Sequence, residues 1–509
     1  MLARLNSVTL EGIEGITCEV EVDIARGGLE KSVIVGLPDT AVKESVERVR
    51  SAIINSGHKY PKTQSIVNLA PADVKKAGPA FDLPIALGLL IAQGAIVGRD
   101  LDDLVVVGEL ALDGRVRPVN GVLSMAMTAA TSGFKRMIVP IGNSKEAAVV
   151  SDIDVFGVGS LAQAVGLLTG QLPMESTTVD LDELFAVASD YDVDFSDVKG
   201  QQSVKRALTV AAAGGHNIMM IGPPGAGKTM LAQRMATILP PLTLTESLET
   251  TRIYSSIGLL DRNEALIATR PVRTPHHTAS GPALIGGGST PRPGELSLAH
   301  FGILFLDEFV EFPRHVLEMI RQPLEDGFVI VSRARKTIKF PARFMLVAAM
   351  NPCPCGYLGS GSRRCKCTPS QIARYMSKVS GPLVDRIDIH IAVPATSFRG
   401  LRSKAAQLDS ATIRDQVLRA RNLQADRFPN GLITTNSTMT HKQVEKFCPL
   451  GQAAELMLKQ AMTEFGLSAR AHDKICKTAR TIADLAQSRN ILPEHIAEAV
   501  SYRQLDRRL

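Results

Sequence analysis

No run of apolar residues in this chain is long enough to cross a bilayer, which argues against a membrane-spanning protein. The N-terminus also lacks the succession of basic segment, apolar core and small-residue cleavage site that marks an exported chain. A cytoplasmic protein with no membrane partner is expected. Cysteine is sparse, at 7 in 509 residues, and four of these crowd into one short segment, unlike a secreted disulfide framework. With 45% hydrophobic side chains the chain can bury two or three cores, and ordinary domain sizes favour three.

Charge is unevenly spread. The net charge is +6, yet residues 1–200 are net acidic and residues 201–400 and 401–509 are each net basic. Basic surfaces gain from counterion release on polyphosphates, which points to nucleic acid; a solvated basic face has the same composition.

Gly222-Pro223-Pro224-Gly225-Ala226-Gly227-Lys228-Thr229 fits G-x-x-x-x-G-K-[ST] between the strand-like run Ile218–Ile221 and the helix-like run Met230–Ala236. The glycines let backbone N–H groups turn inward around phosphate oxygens, and a helix starting near Lys228 offers its positive end. Lys228 then meets the β- and γ-phosphates and the Thr229 hydroxyl ligates Mg²⁺. Gly222 through Met230 are therefore candidate nucleotide contacts. Hydrolysis needs more: a metal carboxylate, a base and an orienting group. The apolar run Ile303–Leu306 ends in Asp307 and Glu308, as expected for a buried parallel strand that carries Asp307 toward Mg²⁺ and Glu308 toward the attacking water. A third run, Phe344–Met350, ends at Asn351, an amide suited to orienting that water; an Asn before Pro352 is also an ordinary turn residue.

Further motifs are Pro275-His-His-Thr278, Ile285-Gly-Gly-Gly288, Arg292-Pro-Gly-Glu-Leu-Ser-Leu-Ala-His300, Gln322-Pro-Leu-Glu-Asp326, Asn351-Pro-Cys-Pro-Cys-Gly356 and Gly381-Pro-Leu-Val-Asp-Arg-Ile-Asp388. With them the chain resembles AAA+ ATPases of the magnesium-chelatase-like branch, and the bacterial YifB/ComM family in particular, from its first residues to its last. The resemblance implies an α/β protein in three parts that uses ATP and Mg²⁺. Residues 1–170 resemble the Lon-protease-like variant of the ribosomal S5 domain 2-type α+β fold. Residues 171–194, rich in Asp and Glu, read as an extended acidic linker. Residues 195–400 are the expected AAA+ P-loop α/β core with hairpin inserts and a cysteine loop at 353–367. Residues 405–509 are the expected C-terminal helical lid.

In the first part, Ser7–Gly12, Ile16–Asp23, Ser32–Gly36 and Ser65–Leu69 read as strands, Val107–Pro118 as a hairpin, and Asp39–Ile54 as a helix behind an Asp N-cap. Lon-like proteases need a Ser after a Gly-Pro pair and a Lys beyond a later turn. The matching positions here are Ala80 and about Leu123, so the part is read as a non-catalytic scaffold.

In the core, Phe195-Ser-Asp-Val-Lys-Gly-Gln201 resembles the segment that packs against adenine, with Val198 as a contact. Gly286–Gly294 carries Arg292 and matches an insert that projects into the ring pore in this branch. Phe328–Ser332 and Thr337–Phe340 read as a hairpin with the basic tip Arg333-Ala-Arg-Lys336, suited either to a phosphate backbone or to solvent. His276 and His277 are adjacent and diverge, so a structural or pore-loop role is expected. Arg386 matches the arginine that related hexameric motors present to the neighbouring subunit's γ-phosphate, with an ion pair to Asp385 or Asp388 as the alternative. Arg470 resembles the lid arginine that contacts nucleotide in cis. Cys353, Cys355, Cys365 and Cys367 form two C-x-C pairs around a glycine-rich turn, able to wrap one structural Zn²⁺ or to remain reduced thiols. Ala411–Arg421, Ala453–Ala461, His472–Leu485 and Pro493–Val500 read as helices.

The expected activity, by resemblance, is that of an ATP-hydrolysing ring, a hexamer, which performs branch migration or helicase-type remodelling of recombination intermediates in natural transformation on single-stranded or branched DNA. The alternative is a magnesium-chelatase-type ATPase that remodels a protein partner. The Lon-like first part, the cysteine loop and the missing D-x-S-x-S motif count against it. A nucleotide-gated assembly factor without translocation also remains open at this stage.

Overall fold

The computed structural model describes the chain except residues 1, 26, 28–29, 99, 174, 188–190, 262–263, 289–290, 334–335, 360–362, 396–407, 429–434 and 504–509. Ala334 and Arg335 of the basic hairpin tip, and the expected core-to-lid junction, therefore lie outside the described residues. The chain forms two compact units, Met1–Val187 with Thr243–Ala268, and Ala188–Leu242 with Thr269–Leu509.

The first unit is built on a seven-stranded mixed sheet in the order Ser32–Val35, Ser65–Ala70, Glu14–Ile24, Leu2–Glu11, Leu104–Val106, Arg136–Pro140, Asp154–Val158. In Glu14–Ile24 the residues Cys18, Val20 and Val22 are buried while Glu19 and Glu21 are not, the period of two expected of a strand with one face in a core. The helix Asp82–Ala92 is buried on every side. It crosses the sheet so closely that a methyl group on Gly88 would stand 2.7 Å from Val22 Cγ2. Thr40–Asn55 begins where Asp39 accepts the N–H of Val42 at 2.9 Å, as the N-cap reading expects. Val107–Pro118 contains the expected hairpin, Glu109–Leu110 against Val116–Arg117. Ala80 and Leu123 are both buried.

Two features differ from the sequence reading. The acidic stretch is not wholly extended: Leu181–Val187 is helical, with Asp180 accepting the N–H groups of Asp182 and Glu183, and Leu181 and Leu184 pack against Leu123, Ala265 and Leu266. The segment 243–268, which interrupts the phosphate-loop unit in sequence, belongs to the first unit. Its helix Leu244–Ser256 is held there by Arg252 on Glu14 at 2.5 Å and by the Ser255 hydroxyl donating to Glu146 at 2.6 Å.

The second unit carries a five-stranded parallel sheet in the order Val272–Arg273, Ile303–Leu306, Met345–Met350, Ile218–Ile221, Ile389–Ala392. Ile303–Leu306 and Met345–Met350 are buried at every position, which is why they read as unbroken apolar runs. Phe328–Arg333 pairs antiparallel with Lys336–Pro341, the expected hairpin insert. The C-terminal helices Ser410–Arg427, Gln452–Phe465, Ala469–Leu485 and Pro493–Ser501 share one apolar core with this sheet, running from Phe195 and Leu208 to Ile475 and Ile496. No helix among the described residues is long and apolar enough to cross a membrane.

Candidate functional site

Ile218–Ile221 lies between Met345–Met350 and Ile389–Ala392, so the loop at its end opens beside two other strand ends. Open parallel sheets bind ligands at such points because neighbouring connections leave in different directions. The chain turns there through Gly222–Gly227 into the helix Lys228–Ile238. Gly227, the N-cap, has φ 83, a left-handed conformation that L side chains rarely adopt. A cavity of about 720 Å³ stands over this helix end. Its lining brings together Pro224 through Met230, Asp307, Glu308 and Asn351, all singled out in the sequence.

Lys228 is buried, and its ammonium donates to the carbonyls of Gly222 at 2.8 Å and Pro223 at 3.1 Å and to Asn351 Oδ1 at 3.3 Å. Burial lowers its pKa from the ordinary lysine value, and the nearby Asp307 opposes that shift. Thr229 Oγ1 donates to Asp307 Oδ2 at 2.6 Å, so the hydroxyl and carboxylate expected to share a cation already face each other. The other oxygen of Asp307 accepts the Glu308 N–H at 2.8 Å. Glu308 is exposed at φ 50, a backbone state uncommon for a residue with a side chain and frequent at functional sites.

The residue that meets it is His277, for which the sequence suggested only a structural or pore-loop role. His277 Nδ1 lies 3.1 Å from Glu308 Oε2, and its ring stands edge-on to Phe312. His277, His276, Thr274 and Pro275 all line the cavity, having followed Val272–Arg273, the neighbour of Ile303–Leu306. The readable signal was position: a short apolar pair before Pro275-His-His-Thr278, one strand away from the acids. The two histidine rings do not diverge as expected: their centroids are 4.1 Å apart, and His276 also faces the Thr278 hydroxyl at 2.9 Å. Gln201 was also overlooked; its side-chain amide donates to Ala226 O and Pro394 O, each at 3.0 Å, tying the phosphate loop to the chain beyond Ile389–Ala392.

Five expected residues are not among those lining the cavity: Gly222 and Pro223, whose carbonyls accept from Lys228, and Val198, Arg386 and Arg470. Val198 is buried in the apolar core. Arg386 pairs with neither Asp385 nor Asp388. Its guanidinium donates to Pro382 O at 2.7 Å and meets Glu325 at 2.7 Å. Asp388 is instead taken by Lys474 at 2.5 Å and His216 at 3.5 Å. Burial alone would raise the Asp388 carboxyl pKa; Lys474 and His216 outweigh that and hold it far below the usual carboxylate range. Arg470 is exposed in the first turn of Ala469–Leu485.

Beside the cavity, the Sγ atoms of Cys353, Cys355, Cys365 and Cys367 all lie within 4.8 Å of one another, a set able to hold one metal ion.

Comparison with known proteins covers most of the chain. Residues 194–401 match the family model described as magnesium chelatase, subunit ChlI, residues 20–143 match subunit ChlI of Mg-chelatase, and residues 407–503 match the ChlI C-terminal model. The competence protein ComM of Haemophilus influenzae is 43% identical over 515 residues, spanning 100% of this chain and 98% of that one. The protein YifB of Escherichia coli is 43% identical over 500 residues, spanning 98% and 96%. The magnesium-chelatase 38 kDa subunit of Rhodobacter capsulatus is 26% identical over 177 residues, 31% of this chain and 50% of that one.

Proposed function

Because the chain belongs to the YifB/ComM family of magnesium-chelatase-like proteins, we propose that it is an ATP-hydrolysing AAA+ motor that assembles into a hexameric ring and remodels branched or single-stranded DNA. The observation that carries this reading is the convergence of Lys228, Thr229, Asp307, Glu308 and Asn351 on one cavity over a helix N-terminus. Lys228 would leave the Gly222 and Pro223 carbonyls for the β- and γ-phosphate oxygens. Thr229 and Asp307 would hold Mg²⁺, which neutralises charge as the γ-phosphoryl leaves. Glu308, aligned by His277, would orient and deprotonate the attacking water with Asn351 beside it. Arg386 would complete the site of the adjoining subunit, so that hydrolysis depends on assembly, and Arg470 would sense nucleotide from the lid. Residues 405–509 act as that lid, and the first part, 1–170, acts as a scaffold. The four cysteines hold a structural Zn²⁺.

DNA is favoured as the polymer by the net basic charge of residues 201–509 and by a relative named for competence that aligns over the whole chain. The chelatase alternative is weaker in pairwise identity: the 38 kDa subunit is 26% identical over 31% of this chain, against 43% over all of it for the competence protein. ATPase rate measured with no polymer, with single-stranded DNA and with a four-way junction tests the assignment. DNA should raise the rate severalfold. A rate indifferent to every DNA, with no binding at moderate salt, would favour a protein substrate.

A further inference from the structure

The cysteine loop and the phosphate loop approach each other at Gly356. Cys353 Sγ stands 3.4 Å from Cys355 Sγ and 3.7 Å from Cys365 Sγ, and Cys355 and Cys365 are 3.6 Å apart. Zinc bound to four thiolates at about 2.3 Å separates its sulfurs by about 3.8 Å, whereas a disulfide draws two of them to about 2.05 Å. The spacing fits a shared cation. Cys353 is buried and the other three are half-buried, so little apolar burial is available to these thiols for fixing the glycine-rich turn between them.

Gly356 sits in that turn at φ 80, its N–H donating to Cys353 O at 2.9 Å. A Cβ there would stand 2.6 Å from Pro224 Cδ, 2.8 Å from Pro224 Cγ and 3.8 Å from Asn351 Cγ. Pro224 is part of the phosphate loop, and Asn351 is one of the acceptors for Lys228. The cysteine loop thus meets the nucleotide cavity at its phosphate end through one residue that has no side chain. Gly359, later in the same turn, has φ 71 and, among the described residues, nothing within 4 Å of the Cβ position.

We propose that zinc held by Cys353, Cys355, Cys365 and Cys367 braces the phosphate loop through the Gly356–Pro224 contact, so that metal occupancy sets nucleotide affinity. This rests on the nucleotide-site reading above. Four metal–sulfur bonds fix the turn, the turn fixes Pro224, and Pro224 limits the positions open to the backbone N–H groups that meet phosphate. Gly356 is a positioning residue in this arrangement, and loss of the metal frees the loop without removing any group that touches the nucleotide.

The test uses the full chain, zinc quantified after acid release, and the affinity for a fluorescent ATP analogue with Mg²⁺. The parent should carry one zinc per chain. Replacing Cys365 and Cys367 together by serine should abolish zinc and weaken the analogue about tenfold. Gly356→Ala should keep the zinc and weaken the analogue by a similar factor, because the added methyl group overpacks against a proline ring. Gly359→Ala, with the same backbone demand and no neighbour among the described residues, should leave both unchanged. The brace is overturned if the parent binds the analogue without zinc, if the zinc-free variant binds as the parent does, or if the two glycine variants behave alike. A parent that binds no analogue at all overturns the nucleotide-site reading, and this inference with it.

Discussion

His277 Nδ1 and Glu308 Oε2 lie 3.1 Å apart across two neighbouring strand ends, with Glu308 held at φ 50. In the proposed mechanism this imidazole aligns the carboxylate that acts on water. Removing the ring leaves Glu308 free to take unproductive rotamers. His277→Ala is expected to lower kcat about tenfold with nucleotide Kd unchanged, and His277→Gln to recover part of the loss. Single-turnover hydrolysis alongside equilibrium binding separates the two quantities; an unchanged kcat would leave the contact without a catalytic role.

Arg386 pairs with Glu325 and is not among the residues lining its own chain's cavity, the placement expected if, as proposed, it acts on a neighbouring subunit's nucleotide. Arg386→Ala should bind ATP as the parent does and hydrolyse it about 10³-fold more slowly. Mixing Arg386→Ala with Lys228→Ala protein should restore part of the activity, because each supplies what the other's seam lacks. No recovery in mixed assemblies would argue for a role within one chain.

Buried Asp484 joins the C-terminal helices by accepting from Arg427 at 2.6 and 2.9 Å, Arg480 at 3.0 Å and Asn436 at 2.8 Å. Asp484→Ala strands two arginines and should destabilise the second unit by about 3–5 kcal/mol, read as a lower urea midpoint. A loss below about 1 kcal/mol would mean that water replaces the carboxylate at little cost.

His390 is buried in Ile389–Ala392, and burial, reinforced by the charges of Arg503 and Lys474, holds its pKa well below the ordinary value. The unfolded chain takes up this proton near pH 6.5 and the folded chain does not. The stabilising difference is therefore complete above about pH 6.5 and is lost as pH falls from there toward the folded-state value. Thermal midpoints should drop between pH 7.5 and 5.5, and His390→Asn should flatten that slope. An unchanged slope in the variant would assign it to other groups.

The nucleotide loop was legible because its parts are local: glycines, Lys228 and Thr229 follow one another between a strand and a helix. Asp307 and Asn351 were legible because each ends an apolar run that a doubly covered sheet requires. His277 was not, since its meeting with Glu308 depends on which strands are neighbours, and Val272–Arg273 is too short to announce itself. The allegiance of residues 243–268 was hidden for the same reason: Arg252 finds Glu14 across more than two hundred positions. Leu181 and Leu184 did carry a signal behind the Asp180 cap, but the surrounding carboxylates dominated the composition. The partner of Arg386 was misjudged by favouring acids near it in sequence over Glu325, which the fold supplies.

The most direct measurement is ATP-driven displacement of a strand from a four-way DNA junction, run with the parent and with Lys228→Ala at equal protein and saturating Mg²⁺. The account predicts steady displacement by the parent and a rate at the no-ATP background for Lys228→Ala, whose ammonium is the one placed under the phosphate loop. Displacement by Lys228→Ala at the parent's rate would contradict it.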